Sequence, residues 1–260
     1  TAGGSAGTWV HRIDAATGRL TTVAGSPFTN GFTPGSKPVL DPAGRYLAMV
    51  SGTGMTVWRF DATTGQLTST GTLIGVAGSA YVTFSRDSRF LIARDNTGAL
   101  RPFRTDPLTA GPAPNPAITA IGEVFQRGDR LVALLSNGTV VTLTVDPVDG
   151  ALSIFGTRPT GATSSALQLS ATSDPNCLLL RAREAASSET MLPITIDPVT
   201  NSLGTNAPVT VPGVGVARWL AMHPKAPFGW LTGLPDIIAG QLTPLELGSG
   251  CTLAEGSGGR

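Results

Sequence analysis

"RIDAATGRLT" (residues 12–21) and "RFDATTGQLT" (residues 59–68) are nearly the same ten-residue phrase, written twice in one chain. Weaker copies follow at residues 105–112 (TDPLTAGP), 145–152 (VDPVDGAL), 196–203 (IDPVTNSL) and 242–253 (LTPLELGSGCTL). Their anchor positions are Asp14, Asp61, Asp106, Asp146, Asp197 and Thr243. The anchors recur about every 40 to 50 residues, so the chain is built from repeats of one supersecondary unit.

Each copy has the composition of a β-hairpin. An alternating apolar and polar segment precedes the anchor, as in "TVVTLTVD" (residues 139–146). Asp, Pro, Thr and Gly then favour a tight turn in which Gly or Asn takes a positive φ, and the next strand begins at the Leu.

A second phrase lies between the hairpins and reads as an apolar strand, a polar turn and another apolar strand. Its copies are residues 39–50, 83–94, 124–135, 169–182 and 220–233. Continuous apolar runs of this kind indicate strands buried on both faces. Inner and outer hairpins together predict an all-β propeller of four-stranded antiparallel blades, with five complete repeats and one additional outer hairpin, in a single domain over residues 1–260.

Composition excludes several classes of partner. The chain is 41% hydrophobic and 13% charged, with 33 Gly and 20 Pro, which is typical of a folded, turn-rich protein. Its net charge is +1 and its basic residues are scattered, so we expect no nucleic-acid partner. No run approaches the roughly 20 apolar residues of a membrane-spanning helix. No dinucleotide, phosphate-loop or metal motif occurs, so we expect neither a cofactor nor a metal.

Residues 13–28 (IDAATGRLTTVAGSPF) and 38–50 (PVLDPAGRYLAMV) resemble the seven-bladed 6-phosphogluconolactonase-like family of lactonases. The resemblance implies a seven-bladed ring. It also implies hydrolysis of a lactone, or a related cyclisation, by charged and His side chains gathered on one propeller face.

The hairpin count differs from that of a seven-bladed ring, since six outer hairpins accompany five inner ones. Three explanations stay open: residues preceding Thr1 are missing, the ring is smaller, or another chain completes it. The segment "TVVTLTV" (residues 139–145) reads either as an edge on which a partner strand adds or as an ordinary strand of a blade.

Candidate binding residues come from the loops between the second and third strands of each blade, at residues 50–54, 93–98, 135–139, 181–190 and 232–236. Charge is concentrated in two of these loops, and the candidates are Arg94, Asp95, Arg181, Arg183, Glu184 and Glu189. His11 and His223 fall within a strand and an inner turn, where structural roles are expected. No nucleophile pattern accompanies them.

The leading hypothesis is therefore a non-catalytic, secreted or periplasmic bacterial propeller that presents a rigid face to a protein or glycan partner. The alternative is a lactonase-like hydrolase that uses the charged loop residues. Cys177 and Cys251 fit neither a zinc site nor a redox pair, and either a disulfide or two buried thiols would explain them.

Overall fold

A computed structural model of the protein describes residues 7–29, 38–51, 54–74, 76, 82–114, 117–120, 124–161, 167–185, 188–212, 219–223, 225–236 and 239–255. The chain divides into two compact units. The first comprises residues 1–119 and 145–153, and the second comprises residues 120–144 and 154–260.

The first unit begins with paired strands and continues with two four-stranded sheets. Its paired strands are β1 (Gly7–Thr8) with β4 (Phe28–Thr29), and β2 (His11–Ile13) with β3 (Leu20–Thr22). The first sheet has the order β5 (Val39–Leu40), β6 (Tyr46–Ser51), β7 (Gly54–Phe60), β8 (Leu67–Ile74). The second has the order β9 (Val82–Phe84), β10 (Phe90–Arg94), β11 (Leu100–Thr105), β12 (Leu108–Ala110).

Three further sheets follow along the chain. The third is β13 (Phe125–Arg127), β14 (Arg130–Leu134), β15 (Thr139–Val145), β16 (Leu152–Pro159), and its hairpin turn is grouped with the first unit. The fourth is β17 (Leu167–Ala171), β18 (Cys177–Ala185), β19 (Ser188–Ile196), β20 (Leu203–Thr205), with β21 (Val209–Pro212) also paired to β19. The fifth is β22 (Trp219–Met222), β23 (Phe228–Asp236), β24 (Ala239–Gly248), β25 (Thr252–Glu255), with a 3-10 turn at Ser249–Cys251.

In each of the five sheets, four strands form an antiparallel meander in chain order, as in a propeller blade. The all-β prediction with four-stranded blades is confirmed, and the additional outer hairpin is β2–β3. Within the described residues, nothing helical is long and apolar enough to cross a bilayer.

The repeated aspartate closes the outer hairpin. Asp14 Oδ1 accepts backbone N–H bonds from Ala16 and Thr17 at 3.0 and 2.8 Å, and Asp61, Asp146 and Asp197 accept the corresponding bonds. The positive φ falls where the sequence predicts it, at Gly18, Gly65, Gly150 and Asn201. An acceptor at the aspartate and a positive φ at the Gly or Asn are therefore the two turn requirements that explain why the phrase recurs.

Two anchors differ from this pattern. Asp106 lies in a two-residue connection between β11 and β12, and its carboxylate pairs with Arg59 of the preceding sheet. Thr243 is buried inside β24, and the outer turn of the fifth sheet lies at Gly248–Cys251. The assignment of Thr243 as a turn anchor is therefore wrong, because the alternation of β24 continues past it.

Buried strands form the core, and they contribute side chains to both faces of a sheet. In β18, Leu178 and Leu180 belong to the cluster that contains Val132, whereas Leu179 belongs to the cluster that contains Leu231. β15 pairs with strands on both sides, and its residues 140–143 are buried. The interpretation of residues 139–145 as an open edge is therefore wrong.

Contacts between sheets also follow the repeat. Arg12, two residues before its hairpin aspartate, donates from Nη2 to the carbonyl of Thr63 in the next hairpin turn at 2.6 Å. Arg104 occupies the same repeat position and donates to the carbonyl of Val148 at 2.9 Å. A guanidinium at this position therefore joins each of these blades to the turn that follows it.

A disulfide joins Cys177, at the start of β18, to Cys251, in the outer turn of the fifth sheet. Both residues are buried, and Leu247 packs against them. The bond therefore links two successive blades of the second unit.

Candidate functional site

The loops that the sequence analysis selects connect β6 to β7, β10 to β11, β14 to β15, β18 to β19 and β23 to β24. Because the strands of each sheet are antiparallel, these loops lie at the end opposite the repeated hairpin turns. The candidate residues belong to two of the loops. Arg94 and Asp95 lie in the first unit, and the other four residues lie in the second.

Asp95 supports its own loop. Its Oδ1 accepts bonds from the Thr97 N–H, the Thr97 hydroxyl and the Ala99 N–H at 2.8, 2.5 and 3.1 Å, and its Oδ2 accepts from Arg101 Nε at 2.6 Å. Partial desolvation acts to raise the pKa of this carboxyl, but the bonds from Thr97 and Arg101 outweigh it and lower the pKa. Asp95 is therefore an ionised turn residue, and Arg94 precedes it, partly buried, at the end of β10.

Arg181 and Glu189 are brought together inside the fourth sheet. Arg181 Nε lies 4.0 Å from Glu189 Oε2, and the residues are 7% and 0% exposed. In β17, Gln168 pairs in register with Arg181, and its amide exchanges hydrogen bonds with the backbone of Leu220. A buried ion pair at this position belongs to the packing of the blade.

Arg183 and Glu184 are residues of β18, and the backbone of Arg183 is paired in register with that of Glu189 in β19. The side chains of Arg183 and Glu184 are outside the part of the structure that is described. The role of these two residues in binding stays a prediction.

Both histidines contact aromatic neighbours. His11 is exposed in β2, and its ring stacks beside Trp9 with the centroids 6.3 Å apart. His223 Nδ1 accepts the Lys225 N–H at 3.1 Å, which places the ring proton on Nε2 when the imidazole is neutral. His223 thus closes an inner turn, as Asp41 does in the first sheet by accepting the N–H groups of Arg45 and Tyr46.

Three rings form a surface on the fifth sheet that the sequence analysis missed. The ring of Phe228 lies 4.9 Å from His223 and 5.0 Å from Trp230, which it meets edge to face. Trp230 is 40% exposed, whereas the next residue, Leu231, points into the core. We call His223, Phe228 and Trp230 the aromatic surface. The alternation of β23 was the signal that could have revealed it.

Metal binding finds no geometric support in the described residues, since no three His, Cys, Asp or Glu side chains there are grouped to hold an ion. Asp95 bonds within its own blade, and Arg181 pairs with Glu189 within theirs. Asp95 and Glu189 provide rigid support and do not form an arrangement of nucleophile, base and oxyanion donors.

Known proteins match this chain in structure but not in sequence. No family model matches it, and no curated protein does. A protein from Lactobacillus plantarum has a TM-score of 0.64 at 16% identity, covering 95% of this chain and 76% of its own. A candidate 6-phosphogluconolactonase of Bacteroides uniformis has a TM-score of 0.66 at 14% identity, with coverage of 98% and 78%. A periplasmic gluconolactonase of Pseudomonas aeruginosa has a TM-score of 0.62 at 17% identity, with coverage of 94% and 74%. The chain therefore has the fold of the 6-phosphogluconolactonase-like β-propellers.

Proposed function

We propose that the protein is an extracytoplasmic binding module that contacts a protein or glycan partner through the aromatic surface. The exposed Trp230, which packs against Phe228, which in turn packs against His223, is the observation that carries the proposal. Tryptophan and tyrosine dominate the energetics of binding interfaces, because they bury a large area at a small cost in side-chain entropy.

The aromatic surface is presented on a rigid support. Phe228 and Trp230 lie on β23, which is paired on both sides. Leu231, the next residue of the strand, is fully buried. Binding sites on strands are held more accurately than sites on loops, so little ordering free energy is lost when a partner binds.

The disulfide supports the compartment in this proposal. A buried disulfide is typical of secreted and periplasmic proteins, because cytoplasmic thiol systems keep cysteines reduced. The structurally similar gluconolactonase of Pseudomonas aeruginosa is itself periplasmic.

A lactonase-like hydrolase is the second candidate function, and the names of two structural neighbours favour it. Arg94, Asp95, Arg183 and Glu184 would be its polar groups. Against it, Asp95 is fully engaged by Thr97, Ala99 and Arg101, which leaves that carboxylate poorly placed to act as a base.

The test compares Trp230→Ala with Val199→Ala on a panel of cell-envelope polysaccharides and extracytoplasmic proteins. Val199 is 86% exposed on a hairpin turn and is the matched truncation of an apolar side chain. We expect Trp230→Ala to weaken binding by about thirtyfold, as for an interface hot spot, and Val199→Ala to leave it unchanged. Equal affinity of the wild type and Trp230→Ala for a bound partner would refute the proposed surface.

A further inference from the structure

A small groove of about 220 Å³ lies in the first unit, between the outer strand of the second sheet and the hairpin turn that follows β15. It is lined by Phe90, Arg104, Thr109, Gly111, Pro112 and Asp149. None of these residues belongs to the charged loops or to the aromatic surface.

Asp149, which lines the groove, differs from the residue that three other copies of the repeat carry at this position. Three residues after the hairpin aspartate, three other copies carry a threonine: Thr17, Thr64 and Thr200. The hydroxyls of Thr64 and Thr200 accept the N–H two residues further on, both at 3.3 Å. Asp149 Oδ1 accepts the corresponding N–H of Ala151 at 2.8 Å. The turn thus requires one acceptor at this position. Asp149 supplies it with Oδ1, and the turn does not require its second carboxylate oxygen.

Arg104 provides donors at a fixed position beside the same hairpin turn. Its Nη2 donates to the carbonyl of Val148 at 2.9 Å, and its guanidinium carbon lies 5.6 Å from the centre of the Phe90 ring. A guanidinium has five N–H donors, so this one bond orients the group without exhausting it. Arg104 itself is exposed, which leaves the guanidinium accessible to a ligand.

Glycines let the walls approach closely. A Cβ atom at Gly150 would lie 2.5 Å from the Phe90 ring, and one at Gly111 would lie 3.1 Å from the carbonyl oxygen of Asp149. Glycine at these two positions therefore lets the hairpin turn lie close to the Phe90 ring and to residue 111.

We propose that this groove binds a single pyranose residue of a glycan. Sugar hydroxyls both donate and accept, which matches a carboxylate and a guanidinium that line the same groove, while Pro112 offers an apolar contact. The opposite charges of Asp149 and Arg104 offset each other, so a neutral ligand fits better than an ion. A volume of about 220 Å³ lies below the roughly 300–1,000 Å³ of pockets that bind drug-sized molecules, which suits one sugar ring.

This inference goes beyond the proposed function, because the groove lies in the other unit and requires nothing of Trp230. A glycan bound in the groove would make contact independently of the aromatic surface. Asp149→Thr tests the groove and Trp230→Ala tests the aromatic surface, so the failure of one proposal is distinguishable from the failure of the other.

The experiment titrates the intact protein with a panel of methyl hexopyranosides and follows backbone amides by NMR. We expect the amides of Ala110, Gly111, Gly150 and Ala151 to shift for at least one sugar, with a dissociation constant on the order of millimolar, as for a ligand of this size. Asp149→Thr restores the residue that the other copies carry, so it should fold normally and bind at least about tenfold more weakly. Thr64→Asp, which places a carboxylate at the equivalent position of another hairpin, should bind like the wild type.

Two results would overturn the inference. One is the absence of shifts in these amides for every sugar at concentrations well above the expected dissociation constant. The other is sugar binding that Asp149→Thr leaves unchanged. Acetate serves as a further probe, and binding of acetate that Asp149→Thr strengthens would identify an anion site at Arg104 in place of a sugar site.

Discussion

Reduction of the Cys177–Cys251 disulfide should lower the free energy of unfolding substantially. The bond closes a loop of 74 residues and joins two successive blades. The loop-entropy relation gives about 4.5 kcal/mol for a loop of this length, because the crosslink restricts the unfolded chain. Both cysteines are buried against Leu247, so we expect reduction to remove the crosslink and to retain this packing.

Urea unfolding with and without a reductant measures the effect. With a urea slope of about 3 kcal/mol per molar, the midpoint should fall by about 1.5 M on reduction. The double variant Cys177→Ala, Cys251→Ala is the control, because the reductant should not change its midpoint. A shift of less than about 0.3 M for the wild type would refute the reasoning, since the unfolded chain would then gain little freedom from cleavage.

Three further predictions concern stability. Gly150→Ala should cost at least about 2 kcal/mol, because it combines a φ of +84° with a clash against Phe90, whereas Gly44→Ala, at a φ of +67° with open space around it, should cost less in the same urea experiment. Glu189→Ala should cost about 3 kcal/mol, because it removes the buried carboxylate that lies 4.0 Å from Arg181 Nε, and a loss under about 1 kcal/mol would contradict this. Hydrogen bonds, led by those of Thr17, Thr64 and Thr200, lower the pKa values of Asp14, Asp61 and Asp197 below 3.8. As the pH falls, these carboxylates are therefore protonated in the unfolded chain before they are protonated in the folded protein. The stability that they contribute is complete above about pH 4 and is lost as the pH falls through their folded-state pKa values. Asp61→Asn should therefore lose less stability than the wild type between about pH 5 and pH 3.

The repeat made most of the fold predictable. In the hairpins anchored at Asp14, Asp61, Asp146 and Asp197, the Asp and the Gly or Asn are required by local hydrogen bonds and a positive φ, so they recur in the sequence with the turn. Asp106 and Thr243 show the limit of that reasoning. Asp106 pairs with Arg59 of a neighbouring sheet, and Thr243 lies inside a strand. A match to the repeat pattern does not show which residues either side chain contacts.

The candidate site was less predictable, because the sequence shows charge but not its partners. Asp95 was selected as a binding residue, but its bonds to Thr97 and Arg101 tie it to its own loop. Burial of Glu189 depends on the neighbouring strands and is not visible in its local sequence. The aromatic surface could have been found from the alternation of β23, and Asp149 from comparison with the threonines of the other hairpins. That residues 1–260 form a single domain, and that a seven-bladed ring is completed by further residues or by another chain, stay predictions.

We propose that this propeller binds a partner and does not hydrolyse a lactone. Hydrolysis of glucono-δ-lactone, followed by proton release at constant pH with increasing protein concentration, tests it most directly. We expect the rate to equal the spontaneous rate in buffer at every protein concentration. A rate that rises in proportion to the protein, and that Glu184→Gln reduces, would contradict the claim and assign the charged loop residues to catalysis.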